Sequence, residues 1–533
     1  MAQKWNGWGE EEVTFALSPD ALDWLGERIG KGISPKDASL EQALAAIPAS
    51  RLAPHPLIDL SPVVRLQHAH GQSLPDWLKL RHGRLQHAPD GVAFPESSED
   101  VRTLLDYASA HQVRLIPYGG GTSVVGHLDV PEQGGPVLTV SMARCSRLLN
   151  LDREAQLATF GAGVRGPDLE AQLRAHGYTL GHFPQSFEYA TLGGWIVTRS
   201  SGQQSLRYGR IENMFAGGRI ETPRGTLDIP TFPASSAGTD LREMVLGSEG
   251  RLGFLTEATV RVMRSPEFEA FHAIFFPSWD DATHAAQDML RHKLPLSMMR
   301  ISNALETETM LTLAGHSRLL GLLKGWLDLR GCRQGRCMML IGATGHAKTA
   351  RTAIASALSA ARAWRGVHVG TTMGEKWKQN RFRNVYLRNA AWEHGYAIDT
   401  CETACDWARV TPMMHAVEQA ARDAFGAFGE KVHTYTHLSH LYQQGASVYT
   451  TFVYRQSGSF EHDMERWRKL KGAISQAIVS HGGTISHQHG VGRDHAPYLR
   501  AEKGELGLSA MQQLFAHFDP EGLMNPGKLL PEQ

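Results

Sequence analysis

The sequence is poor in three things that would narrow its function at once. Cysteine is scarce: Cys145, Cys332, Cys337, Cys401 and Cys405 are the only five in 533 residues. So sparse and odd a set does not make the disulfide framework of a small secreted domain. Neither close pair has the C-x-x-C spacing of a zinc site. Reduced thiols are the simplest reading, with a redox pair at Cys401/Cys405 as the alternative. Net charge is absent, because 54 Lys+Arg balance 54 Asp+Glu. That balance excludes nucleic acid as a general partner, but not a local cationic pocket. Long apolar runs are missing too, since none reaches the ~18 residues that span a bilayer. The opening Lys4-Trp5-Asn6-Gly7-Trp8-Gly9 has no apolar core of a secretory signal, and Pro531-Glu532-Gln533 is not a peroxisomal address. A cytoplasmic protein is expected.

What the sequence has is glycine, 54 in all, of which 22 fall within residues 119–253. Glycine lets backbone approach a ligand closely. Around this cluster, residues 98–112 predict an amphipathic helix capped by Ser98, with Val101, Leu104, Leu105 and Ala108 on one face. Strands are predicted at 113–117, 137–142, 156–164 and 257–263, and a helix at 166–176. A boundary is expected at Pro266. Beyond it, strands at 273–277 and 338–343 each lead into a helix, at 280–293 and 349–364. Two such units suggest an α+β domain with an antiparallel sheet. A strand at 448–454 and a helix at 465–481 follow, then a histidine-rich stretch at 484–493.

The segment Tyr118-Gly119-Gly120-Gly121-Thr122-Ser123-Val124-Val125-Gly126 is fed by a strand and presents several backbone N–H groups together, a nest for a diphosphate. It is neither G-x-G-x-x-G, because Val124 replaces the third glycine, nor a Walker A loop, because His127 follows Gly126. On its own it is equally a tight turn. Thr191-Leu192-Gly193-Gly194-Trp195, Gly247-Ser248-Glu249-Gly250 with Leu252-Gly253, and Thr256-Glu257-Ala258-Thr259 add weight. So does the closing Asp519-Pro520 with Leu523-Met524-Asn525-Pro526-Gly527-Lys528. Together these segments resemble the flavoproteins of the vanillyl-alcohol oxidase / p-cresol methylhydroxylase superfamily.

The resemblance implies FAD, held by Pro117, Gly119, Gly120, Gly121, Thr122, Ser123 and Gly126 of the loop. Its walls would come from Pro184, Ser186, Thr191, Gly193, Gly194, Trp195, Tyr208, Glu249, Gly250, Gly253, Glu257 and Thr259. Thr122 and Ser123 stand where some relatives carry a flavin-linked histidine, so FAD is expected to be non-covalent; His127 is expected at the surface or behind the site. The implied fold is α+β: an N-terminal helical or irregular segment (1–88), a two-subdomain FAD-binding domain of the p-cresol methylhydroxylase type (89–266), an α+β cap with an antiparallel sheet (267–500), and a C-terminal helix with the closing motif (501–533).

More narrowly, the chain resembles the alkyl-dihydroxyacetone-phosphate synthase family. The resemblance is carried by Lys4–Gly9, Ala69-His70-Gly71, Gly181-His182, Arg207-Tyr208-Gly209, Ser297–Arg300, Glu402-Thr403, Gly445–Tyr449 and Ser486–Gly492. That family exchanges the acyl chain of acyl-dihydroxyacetone phosphate for a fatty alcohol through a flavin N5 adduct, making an ether lipid and releasing a fatty acid. The resemblance implies Tyr449 as acid/base group, His487 and His489 beside it, and Arg300 and Arg493 as substrate-binding cations. It also implies a lipid-like phosphorylated substrate, a homodimer, and peripheral contact with the inner face of a membrane. An ordinary tyrosine titrates near 10, so Tyr449 needs polar neighbours. Without the resemblance, Tyr449 reads as core or surface and Arg300 as an ion-pair partner.

Two departures stand out: Gln488 replaces the middle of three family histidines, and Gln185 replaces an acidic residue. A rival is an FAD-dependent dehydrogenase of 2-hydroxy acids with a divalent metal, whose Glu-His-Gly motif is here Gln488-His489-Gly490; a neutral amide is the poorer ligand. No metal is therefore expected. His433, His437 and His440 raise the same question, and on a strand only His433 and His437 share a face. The stretch Gly342–Thr349 resembles a P-loop with Ala347 in place of its last glycine, or is a strand–turn–helix. A flavin protein without catalysis is the remaining alternative.

Overall fold

The computed structural model describes residues 3–313 and 318–531. Glu532 and Gln533, on which the targeting expectation partly rests, lie outside them.

The helix Ser98–His111 forms where its apolar stripe predicts, but its cap is Ser97, whose Oγ accepts from Asp100 N. Ser98 is instead the first helical residue and donates to Thr256 Oγ1. Val101, Leu104, Leu105 and Ala108 are buried, and each large aliphatic side chain contributes roughly 1.5–3 kcal/mol. They pack with Leu115, Leu138 and Val140 of a four-stranded sheet. Its order is Ile58–Asp59, Gly91–Ala93, Val137–Ser141, Arg114–Tyr118, the last three parallel. A second sheet is antiparallel, in the order Leu148–Asp152, Leu157–Gly161, Phe254–Arg261, Phe215–Thr222, Gly225–Ile229.

The third sheet has seven strands, all antiparallel: Val367–His368, Phe268–Phe276, Cys337–Gly345, Met298–Ser302, His433–Leu441, Gly445–Arg455 and Tyr396–Asp406. The helices Trp279–Arg291, Ala347–Ala363, Thr372–Asn380 and Trp407–Gly426 pack on it, and Phe460–Ser480 packs on Trp407–Gly426. Period-two alternation divides its side chains. Thr436 turns to the helix layer and donates to Glu418 Oε1, whereas Tyr435 and His437 turn the other way, into a cavity. The P-loop-like stretch is a strand–turn–helix: Ala347 N, at the start of its helix, faces the Glu267 carboxylate, the wrong charge for a phosphate site. All five cysteines are free thiols.

The helix layer is tied to the sheet by one buried cation. The Arg466 side chain is fully enclosed; Nη1 meets both Glu430 carboxylate oxygens at 2.7 Å, and Nη2 reaches Arg455 O and Asp463. Removing one partner of such a group leaves charges buried and unpaired. Arg466→Ala is expected to lower stability by about 3–5 kcal/mol in urea unfolding; a loss below about 1 kcal/mol would show that the two acids find other partners.

Candidate functional site

The FAD-type sheets and the cap enclose a cavity of about 1170 Å³, above the roughly 300–1,000 Å³ of an ordinary ligand pocket. One wall is backbone. Side chains on the triple glycine would collide with neighbours: a Cβ on Gly119 would lie 2.4 Å from Thr191 Oγ1, and on Gly120 1.8 Å from Tyr189 O. Gly121 has φ +68°, which favours glycine. The opposite lip begins the helix Leu192–Val197, where Thr191 Oγ1 caps Gly194 N. Its Gly193-Gly194 leaves the cavity side bare, and the neighbouring Trp195 keeps a buried, unpartnered Nε1. This narrow cradle of N–H groups and glycines fits the dinucleotide part of FAD.

Glu249 joins the cradle to the histidine stretch. Its carboxylate accepts from Val491 N at 2.5 Å and Gly492 N at 2.8 Å, and lies 3.0 Å from His127 Nε2. His127 Nδ1 in turn meets Ser123 Oγ at 2.7 Å. His127 is thus a buried link, not a surface group.

The cap contributes a cluster of titratable side chains to the cavity. Tyr449 is stacked on His437 (4.8 Å between ring centroids, 21°) and edge-on to His489 (5.7 Å, 81°). Burial pushes its hydroxyl up to about 12, against the pull of Thr400, so it is protonated near neutral pH. Arg300 and His437 share one buried carboxylate: Glu306 Oε1 lies 2.7 Å from Arg300 Nη2 and 3.0 Å from His437 Nδ1. Burial would raise the Glu306 carboxyl, yet His437 and Arg300 together hold it at about 2. Arg300 keeps a buried, unpartnered Nε at the cavity.

A second buried carboxylate, Glu402, lies opposite Tyr449 in the strand register. It accepts from Gln488 N at 2.5 Å and His489 N at 2.8 Å, and lies 3.4 Å from His487 Nδ1. Burial lowers the pKa of His489, with Glu402 pulling it back up. A further arm of the cavity is apolar, lined by Leu311, Leu323, Met338, Leu340, Val369 and Met373.

Comparisons with known proteins agree with this geometry. Residues 89–228 match the family model described as FAD binding domain, and residues 265–529 that of FAD linked oxidases, C-terminal domain. The chain is 29% identical to alkyldihydroxyacetonephosphate synthase of Trypanosoma brucei brucei, over 99% of this chain and 92% of that one. It is 31% identical to the Dictyostelium discoideum protein of that name, over 88% of this chain and 78% of the other. The chain belongs to the alkyldihydroxyacetonephosphate synthase family. A solved alkyldihydroxyacetonephosphate synthase superposes with a TM-score of 0.84 at 26% identity, covering 99% of both chains. As a family member the chain is an FAD-dependent enzyme with the p-cresol methylhydroxylase type of α+β fold.

Within this family frame, most expected positions line the cavity: Pro117, Gly119 to Ser123, Pro184, Ser186, Thr191, Gly193 to Trp195, Glu249, Gly250 and Gly253, with Arg300, Tyr449 and His489 across from them. Others do not. His487 lies behind the wall, because its Nε2 is engaged by the Tyr442 hydroxyl at 2.6 Å and Arg210 Nη1 at 2.7 Å. Arg493 pairs with the buried Asp129, at 3.2 Å, outside the cavity lining. Tyr208 packs under Gly181, Thr259 pairs with Thr159 inside the sheet, and Gly126 backs onto Arg493; these and Glu257 stand outside the lining.

His433, His437 and His440 do not converge: His433 meets Thr309, His437 meets Glu306, and His440 meets Gly202 O. Among the described residues the one group with metal-ligand spacing is His70, Asp76 and Asp129, outside the cavity lining, where Lys79 Nζ already lies 2.7 Å from Asp129. Sequence reasoning missed Glu306 and the half-buried Arg388, cavity residues that nothing in their local sequence marks, and weighed His437 only as a metal ligand.

Two outcomes follow. Gly120→Ala is expected to yield protein with little FAD, measured as flavin absorbance per chain; a full complement would show that the cradle gives way. Glu402→Gln removes the charge that raises His489. The acid limb of turnover, where His489 gains a proton, is therefore expected to move to lower pH. A limb moved to higher pH, or left in place, would separate it from this pair.

Proposed function

We propose that the chain catalyses replacement of the acyl chain of acyl-dihydroxyacetone phosphate by a fatty alcohol. The carbon–oxygen bond to the acyl group breaks and leaves a fatty acid; the alcohol oxygen forms the ether bond and the alcohol proton is released. One observation carries this reading: the glycine cradle, the Tyr449–His437–His489 cluster with Arg300, and an apolar arm open into a single cavity. A 2-hydroxy acid would leave the apolar arm without use. FAD, bound without a covalent link through Thr122 or Ser123, supplies a reversible electron sink at the substrate carbon.

The chain's own residues bind and move protons. Arg300, fixed by Glu306, directs its free Nε at an anionic group. Tyr449, protonated near neutral pH, donates from its hydroxyl, and His489 is placed to take a proton.

Peripheral contact with the inner membrane face, in the cytoplasm, belongs to the same proposal. On the helix Arg318–Leu329, Leu322, Trp326 and Leu329 are 70%, 40% and 87% exposed at helical spacing, while Leu323 of the same helix lines the apolar arm.

Tyr449→Phe is expected to retain FAD and lose turnover by at least 100-fold. The decisive assay is anaerobic mixing of purified protein with acyl-dihydroxyacetone phosphate. Flavin bleaching, reversed by fatty alcohol with fatty acid release, is expected; lasting reduction by a 2-hydroxy acid would replace the proposal. The doubly altered Trp326→Ser, Leu329→Ser is expected to sediment less with phospholipid vesicles while keeping turnover of detergent-dispersed substrate. Unchanged sedimentation would remove that helix from membrane contact.

A further inference from the structure

The N-terminal Trp5–Gly9 lies outside both matched domain models, yet it reaches the cavity. Trp8 is only 5% exposed, lines the cavity, and its Nε1 has no hydrogen-bond partner. Its position is fixed closely. Asn389 brackets its backbone, with Trp8 N donating to Oδ1 at 3.0 Å and Nδ2 donating to Trp8 O at 2.8 Å. Both flanking glycines are required: a Cβ on Gly7 would lie 2.8 Å from Asn389 Oδ1, and Gly9, at φ +84°, would place one 2.3 Å from the Tyr386 ring. Tyr189 meets the indole edge-on at 5.7 Å.

Arg388, next to Asn389 on the helix Leu387–Glu393, is a half-buried cavity-lining cation. Among the described residues no carboxylate pairs with it; its Nη1 donates to Gln72 O at 2.5 Å, and Gln72 Nε2 reaches back to Gly7 O at 3.5 Å. A donor-only indole and a guanidinium without an acidic partner, both lining one cavity, suit an anionic oxygen.

We propose that Trp8 is a substrate-binding residue whose Nε1–H donates to a phosphate oxygen of the headgroup. The assignment rests on the proposed function for the identity of that phosphate. The cofactor's pyrophosphate is the other source of the same chemistry.

The test uses FAD-loaded, full-length Trp8→Phe, which keeps the ring and removes the N–H. Expected are unchanged FAD content, a rise of roughly tenfold or more in the KM for acyl-dihydroxyacetone phosphate, and the same rise in the Kd of inorganic phosphate, read from flavin absorbance. The fatty-alcohol KM and kcat should stay within about twofold. Should Phe fail to fold, Trp8→Tyr, which restores a donor, is expected to bind phosphate more tightly than Trp8→Leu. Unchanged phosphate affinity overturns the proposal, and loss of FAD with unchanged phosphate affinity moves the donor to the cofactor. If wild type does not turn over acyl-dihydroxyacetone phosphate but binds phosphate in a Trp8-dependent way, the functional proposal fails and this one stands.

Discussion

The carboxylate of Glu249 is the point at which four distant stretches of chain are held in register. It accepts from Val491 N and Gly492 N, lies against His127, and through His127 fixes Ser123 of the glycine loop. Its own carbonyl accepts from Asn525 Nδ2 of the closing motif. The residue sits at φ +52°, a conformation a glutamate adopts only when its surroundings dictate it. What it secures is relative placement: the cradle for the cofactor and the loop bearing His489 come from different domains, and proximity catalysis tolerates little slack between them. Gly490 and Gly492 allow the loop to come this close, since a Cβ on Gly490 would lie 2.8 Å from Glu249 Oε1 and on Gly492 2.1 Å from Val125 O.

The same use of buried carboxylates recurs around the cavity of this net-neutral chain. Glu306 lies behind Arg300 and His437, and Glu402 behind His487 and His489. Lys471 and Asp399 form a further pair 3.4 Å apart. Each of these charges is matched within the wall, so its burial is compensated. Arg388 departs from this pattern among the described residues, and that departure, together with the free Nε1–H of Trp8, marks where an anion belongs.

How much of this was legible in the sequence depended on whether the signal was local. The glycine loop, the Thr191–Trp195 turn and the stripe of the helix Ser98–His111 are set by neighbouring residues, and their physical reasons can be read in order along the chain. The alternation of His433 and His437 is local too, and their shared face follows from it. The fate of these histidines is not local. His437 meets Glu306 from 131 positions earlier in the chain, and His487 meets Arg210 from 277 positions earlier. Arg493 falls outside the cavity lining for the same reason: Asp129, with which it pairs, is 364 positions away. Ser97 displaced Ser98 as a cap by one residue, the usual imprecision of helix ends.

The replacement of a family histidine by Gln488 also takes on a definite meaning. Glu402 holds the loop through the backbone N–H groups of residues 488 and 489, which any side chain at 488 leaves in place. The path of the loop, and with it the position of His489 against Tyr449, therefore does not depend on an imidazole at this position. What changes is what the wall offers: Gln488 lines the cavity with a buried, unpartnered Oε1, an acceptor that cannot titrate. The titratable rings that touch Tyr449 are those of His489 and His437.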